Sequence, residues 1–160
     1  MTQQQQRIAV HDGNREPVFL SPEEMAVMAG AVFPLAERVN GAAGEAFDFG
    51  AWFARFRERE SAAGLGEPLP THLKLEGADA FEAVIPWEQL ADAAVQFALA
   101  GSPLPKNGPI RLYVPNGSSE CLNVKSIVAC RFLRDEARRG EASYGFKRTF
   151  SADDLRIKKP

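Results

Sequence analysis

Between residues 71 and 133 the chain consists of short apolar segments, each ended by a turn or loop rich in proline, glycine or asparagine. These segments have the length of strands rather than of helices. At the start of this region Leu73 and Leu75 alternate with His72 and Lys74. That alternation predicts a half-buried strand, with His72 on its surface side. Short strands joined by short turns favour a mainly antiparallel sheet.

Two segments carry helix signals. Ser21 and Glu24 have the spacing of a capping box, and Gly30 is placed to end the helix that they begin. A second helix is predicted to begin after Asp48 and to run to about residue 63. Its apolar face repeats with helical spacing and consists of four aromatic residues, which are Phe49, Trp52, Phe53 and Phe56.

These elements predict one domain over residues 1–160, of mixed α/β class (α+β type), with peripheral helices around a mixed sheet. The helices are too few for a doubly wound parallel sheet. A chain of 160 residues buries enough surface to form a full core without disulfides. We expect the core to span about residues 7–134. Residues 135–160 are expected to form a C-terminal tail, packed on the core or partly mobile.

The composition argues against several classes of protein. The formal net charge of -2 gives no excess of positive charge for nucleic acid or an anionic membrane. The N-terminus has no apolar stretch of the kind found in secretory signals. No apolar run approaches the ~20 residues that cross a bilayer. We therefore expect a cytoplasmic protein that binds neither nucleic acid nor membrane.

The residue patterns of common enzymes do not occur in the sequence. His11 and His72 lie far apart along the chain, and no pair of Cys or His residues has zinc spacing. No glycine motif for binding a nucleotide phosphate occurs either. Asp153 and Asp154 have the position of a helix start, which predicts a last helical turn from Ser151 rather than an acid–base pair.

A more specific signal is the order of motifs in the second half of the chain. The sequence reads Gly-Ala-Asp-Ala-Phe-Glu-Ala-Val-Ile-Pro-Trp from Gly77 and Gly-Ser-Pro-Leu-Pro from Gly101. Gly-Pro-Ile-Arg follows from Gly108, and Val-Lys-Ser-Ile-Val from Val124. This ordered set resembles the second half of the oxidoreductase molybdopterin-binding domain of the sulfite oxidase class, over roughly residues 71–133.

The resemblance implies a sulfite oxidase-like fold and a site for the phosphate of molybdopterin. In that family cationic and hydroxyl groups hold the phosphate, and Lys125 and Ser126 match the family's Lys-containing strand. Arg111 matches the family's Gly-Pro-x-Arg position, and a structural ion pair with a neighbouring carboxylate is the alternative role for it. Leu122 and Asn123 stand where the family has Arg and Ser. Asn123 is therefore a further candidate ligand, and the loss of the Arg weakens the site.

The first half resembles the family more loosely, over residues 8–25 and 44–56. On this alignment the chain begins inside the family's domain and lacks the upstream segment with its cofactor-binding His. The family's metal is bound by a cysteine thiolate between the first helix and the following Gly turn. Residues 31–44 occupy that place and contain no cysteine. No other side chain readily replaces a thiolate as a soft ligand.

Both cysteines lie in the second half. Cys130 alternates with Val128 and Phe132, which predicts a small buried core residue. Cys121 lies in the loop before Lys125 and is the thiol placed to face a cofactor cleft. It is thus the one candidate catalytic residue, and an ordinary loop thiol is the alternative.

Three functions follow as hypotheses. The first is a non-catalytic binding module that retains the fold, binds no molybdopterin and takes a small anionic ligand or a protein partner. The second is a molybdopterin-dependent oxidoreductase, with the metal held by Cys121 or by no protein thiolate. The third is an interaction protein whose basic tail, residues 138–159, contacts an acidic partner. The missing cysteine, upstream segment and Arg favour the first, and so disfavour an enzyme.

Overall fold

The computed structural model describes residues 6–60 and 68–146 of the chain. Eleven strands and two helices lie in this part. The strands are β1 Ile8–Asp12, β2 Val18–Leu20, β3 Val32–Pro34, β4 Glu45–Asp48, β5 His72–Gly77, β6 Phe81–Pro86, β7 Ala94–Leu99, β8 Ser102–Pro103, β9 Arg111–Tyr113, β10 Ile127–Leu133 and β11 Ser143–Phe146. The helices are α1 Pro22–Ala29 and α2 Phe49–Glu60. The mixed α/β class with few helices is thereby confirmed.

The strands form two sheets. The large sheet has the order β11-β6-β5-β10-β1-β2, and the small sheet has the order β3-β4-β7-β8, with β9 also paired to β7. Neighbouring strands are antiparallel except for β1 and β10, which are parallel. The prediction of mainly antiparallel pairing is therefore confirmed. Among the described residues no helix is long and apolar enough to cross a membrane.

Both helices begin as the sequence predicts. The Ser21 hydroxyl accepts a hydrogen bond from Glu24 N at 3.1 Å, and the Glu24 carboxylate accepts one from Ser21 N at 2.8 Å. Gly30 ends α1 in the left-handed conformation, with φ of 91°. Asp48 Oδ2 accepts a hydrogen bond from Ala51 N at 2.7 Å and so caps α2. The structure describes α2 as far as Glu60, and the remainder of the predicted helix lies outside the described residues.

An aromatic cluster joins α2 to the large sheet. The apolar face of α2 is buried as predicted. It packs on Phe132 of β10, whose ring also contacts Trp87. The ring centroids nearest Phe132 lie 4.9–6.2 Å away and belong to Trp52, Phe53, Phe56 and Trp87. Rings at these distances add to the stability gained from burial alone.

The prediction that His72 lies at the surface is wrong. His72 alternates with the buried Leu73 as expected, yet it is only 1% exposed. Residues 133–138 cover it, and the His72 Nε2 lies 3.0 Å from the carbonyl oxygen of Arg138. Its Nδ1 lies 2.7 Å from the Thr71 hydroxyl, which also accepts a hydrogen bond from Asp135 N. The surface side of β5 is therefore covered at this end.

Three strands lie where the sequence predicts none. β4 lies just before α2, β8 lies in the proline-containing loop after Gly101, and β11 lies within the predicted C-terminal tail. β11 pairs with β6 and extends the large sheet. Conversely, β10 begins at Ile127 rather than at the predicted Val124, because Ser126 has a left-handed φ of 55°. The expected turn from Ser151 and the pair Asp153 and Asp154 lie outside the described residues.

Replacing Phe132 by alanine is expected to lower the free energy of unfolding by about 3–5 kcal/mol, because it leaves a cavity against four aromatic rings. Urea denaturation followed by fluorescence measures the change. The matched control is Phe19→Ala, since the Phe19 side chain is 55% exposed. Its expected effect is below about 1 kcal/mol. Equal losses in the two variants would show that Phe132 is not central to the core.

Candidate functional site

The segment before β10 runs beside β9. Leu112 N donates a hydrogen bond to the carbonyl oxygen of Val124 at 2.8 Å, and Ile127 N donates to that of Ile110 at 3.1 Å. All four of these side chains are buried. The residues between and beside them are the predicted ligands Arg111, Asn123, Lys125 and Ser126. The fold thus places these predicted ligands together on two paired segments.

A turn of the large sheet meets this segment. Ala78 N donates to the carbonyl oxygen of Ser126, and Ser126 N donates to that of Asn107, both at 2.8 Å. Gly77 allows the close approach, since a Cβ there would lie 3.2 Å from the Lys125 carbonyl oxygen and 2.7 Å from Asp79 Oδ1. We call this region the Lys125 corner, and it comprises residues 77–80, 106–107 and 125–126.

Three cations at or beside this corner lack a carboxylate partner. Elsewhere in the described chain several basic side chains are paired, as Arg38 is with Asp48 and Arg131 with Glu76. In contrast, no described carboxylate lies within 4.0 Å of the charged nitrogens of three residues, which are Lys106, Arg111 and Lys125. Positive charge at the corner is thus left for an anion to neutralise.

Arg111 is held by a ring rather than by an acid. Its guanidinium carbon lies 4.8 Å from the centroid of the Tyr113 ring. Its Nε is buried and has no hydrogen-bond partner among the described residues. The alternative in which Arg111 forms a structural ion pair is therefore not observed in this part of the chain. A guanidinium stacked on a ring keeps its planar N–H groups available for an anion.

Asn123 and Ser126 differ in the hydrogen bonds that they already form within the described chain. The Asn123 Oδ1 accepts a hydrogen bond from Val114 N at 2.7 Å, so it joins its segment to the end of β9. For Ser126 the backbone N–H and carbonyl are both bonded, whereas its hydroxyl has no hydrogen bond among the described residues. Among the described residues, the polar groups left for a ligand are therefore those of Lys125 and Arg111, the Asn123 Nδ2 and the Ser126 hydroxyl.

The sequence interpretation missed Lys106 and Asn107 as parts of this site. They lie between the matched motifs that begin at Gly101 and Gly108, and neither motif includes them. Asn107 has a left-handed φ of 64° and bonds to Ser126 through its backbone. The one available signal was the position of the loop between two matched motifs.

The two cysteines lie in different environments. Cys130 is 3% exposed, which confirms that it is a core residue. Burial raises the pKa of its thiol to about 12, and the nearby Glu76 charge adds to the effect. Cys121 is exposed in the 3-10 turn Glu120–Leu122, where the Ser119 hydroxyl accepts a hydrogen bond from its backbone N–H.

Apolar packing fills the segment that the resemblance aligns with the family's thiolate, residues 31–44. Leu35 is fully buried there and packs with Ala46 and Ala94. Arg38 lies over the Phe33 ring at 4.5 Å and forms an ion pair with Asp48. The described residues contain no group of three or more His, Cys, Asp or Glu that could hold a metal. The residues at the Lys125 corner fit the phosphate of the family's cofactor, and residues 31–44 supply no thiolate for its metal.

The sequence matches no protein-family model and no curated protein. The resemblance to the molybdopterin-binding domain consequently rests on the sequence motifs alone.

The two thiols are expected to react at very different rates. At pH 8 in native buffer an aromatic disulfide reagent should modify Cys121 and leave Cys130 intact, because a thiol with a pKa of about 12 is protonated and buried. Denaturant should expose the second thiol. Mass spectrometry of digested protein identifies the modified residue. Rapid native modification of Cys130 would contradict its placement in the core.

Proposed function

We propose that the chain is a non-catalytic binding module, built on a sulfite oxidase-like molybdopterin-binding scaffold, that binds a small anionic ligand. The observation that carries this proposal is a set of three cations that form no ion pair with a described carboxylate and lie on segments hydrogen-bonded to one another: Lys106, Arg111 and Lys125. Like charges held on neighbouring segments repel each other. A bound anion removes this repulsion and gains charge-assisted hydrogen bonds.

The ligand contacts follow from the groups that remain available. Lys125 supplies an exposed point charge, Ser126 a hydroxyl donor and Arg111 a planar set of N–H donors. Phosphate oxygens accept from all three kinds of donor. A phosphate group, free or as part of a small molecule, is therefore the ligand chemistry that the corner fits best.

A redox reaction at a molybdenum centre is not part of this proposal. The packing of Leu35, Ala46 and Ala94 leaves no thiolate where the family places one. Cys130 is buried and protonated in the core, and Cys121 is exposed in the turn Glu120–Leu122, outside the segment 31–44. A cytoplasmic location is part of the proposal, and it is supported by two free thiols in the described residues, one of them exposed.

Substituting Lys125 by alanine is expected to weaken phosphate binding at least about tenfold, because the exposed cation of the site is lost. Titration of labelled protein with inorganic phosphate and pyrophosphate, followed by backbone amide shifts, measures the affinity. Lys74→Ala is the matched control, since Lys74 already pairs with Glu82 on another face. Unchanged binding by the Lys125 variant, with an intact fold, would remove Lys125 from the site.

Metal analysis separates this proposal from the oxidoreductase alternative. Protein expressed in a host that makes molybdopterin is expected to contain far less than one molybdenum per chain, since the described residues fit the phosphate alone. Elemental analysis and the fluorescence of oxidised pterin measure both parts of the cofactor. Pterin without metal would agree with the phosphate site. One molybdenum per chain would establish an enzyme and direct attention to Cys121.

A further inference from the structure

Asparagine is followed by glycine at three places in the chain, which are Asn40-Gly41, Asn107-Gly108 and Asn116-Gly117. In such a pair the backbone nitrogen of the glycine attacks the side-chain amide carbon of the asparagine. Glycine has no Cβ to hinder the approach. The two atoms must first reach a near-attack geometry, which requires rotation of the asparagine backbone and side chain. The hydrogen bonds of the folded chain therefore decide which pair reacts.

The Asn116-Gly117 pair is held at both reacting groups. Asn116 Nδ2 donates a hydrogen bond to the carbonyl oxygen of Ala91 at 2.9 Å and one to Asp92 Oδ2 at 3.3 Å. Gly117 N donates to the carbonyl oxygen of Val114 at 3.0 Å. Attack at this pair would break bonds that join it to β9 and to the turn before β7.

The Asn107-Gly108 pair is held through its backbone and its packing. The Asn107 carbonyl oxygen accepts a hydrogen bond from Ser126 N at 2.8 Å, and rotation of the Asn107 backbone would break this bond. Both residues of the pair are half-buried. A Cβ on Gly108 would lie 3.3 Å from the Cβ of Leu104, which shows how closely the loop packs on itself.

The reacting groups of the Asn40-Gly41 pair are free within the described chain. Asn40 is exposed, and neither its side-chain amide nor its carbonyl forms a hydrogen bond with a described residue. The same holds for Gly41 N, and a Cβ on Gly41 would meet no atom within 4 Å outside the adjoining residues. One hydrogen bond spans the pair, from Ala42 N to the carbonyl oxygen of Val39 at 3.0 Å. Opening such a local contact at the surface costs little free energy.

We propose that Asn40 is a site of spontaneous covalent modification. Hydroxide removes the proton of Gly41 N, and this nitrogen bonds to Asn40 Cγ. The side-chain nitrogen takes a proton from water and leaves as ammonia, which regenerates the hydroxide. Water then opens the cyclic imide at either carbonyl and gives aspartate or isoaspartate.

Both products change the connection between β3 and β4. Each adds a negative charge to residues 39–42, and isoaspartate also routes the main chain through the side-chain carbon of residue 40. β3 and β4 pair in antiparallel register on either side of this connection, from Val32 with Phe47 to Pro34 with Glu45. The inference does not depend on the proposed anion site, since residues 39–42 are not part of the Lys125 corner.

The test incubates the full chain at mildly alkaline pH and follows each pair by mass spectrometry of digested protein. Asn40 is expected to convert at least about tenfold faster than Asn107 and Asn116, because those two must first break bonds to other segments. In denaturant the three rates should agree within about twofold, because glycine follows each asparagine and the folded-state bonds are gone. Electron-transfer fragmentation distinguishes isoaspartate from aspartate.

Asn40→Gln is the control variant. It retains an exposed amide but places the amide carbon one methylene further from Gly41 N, so conversion at residue 40 should stop while the other two pairs are unaffected. Equal native rates at the three pairs, or faster conversion of Asn107 or Asn116, would overturn the assignment. So would a native Asn40 that stays intact while the denatured chain reacts. Aspartate without isoaspartate would overturn the attack by Gly41 N.

Discussion

The packing of α2 on β10 around Phe132 determines where the rest of the structure lies. β10 is the strand that pairs with both β1 and β5, so it holds the two halves of the large sheet together. The same stretch of chain, immediately before Ile127, pairs with β9 and joins the small sheet to the large one. Lys125 and Ser126 are therefore positioned by a strand that is anchored in the core.

Features that depend on neighbours in sequence were predictable. The capping box of α1 and the aromatic face of α2 need only residues within one or two helical turns. The covering of His72 depends instead on Arg138, 66 residues away, so the alternation around Leu73 gave the correct side of the strand and the wrong exposure. β4 was not predicted because its four residues begin and end with an acidic residue and show no apolar alternation along the strand.

For the candidate site, as for the fold, the sequence predicted some features and not others. The order of motifs identified Lys125, Ser126 and Arg111, and the backbone pairing brings their segments together. The absence of partners for the cations was not predictable, because ion pairs here join residues distant in sequence, such as Arg134 and Asp12. The left-handed φ of Ser126 gave no signal either, since serine adopts it only where the surrounding structure imposes it.

On the outer face of the large sheet, charged side chains of neighbouring strands form ion pairs with one another. Lys74 pairs with Glu82 and Arg131 with Glu76, so each charge on neighbouring strands is already neutralised. His11 lies opposite Arg131 in the register, and burial together with the Arg131 charge lowers its pKa. The lowered pKa reduces the positive charge that His11 carries at neutral pH. An anion gains little on that face, whereas the anion that we propose at the Lys125 corner meets cations that have no described carboxylate partner.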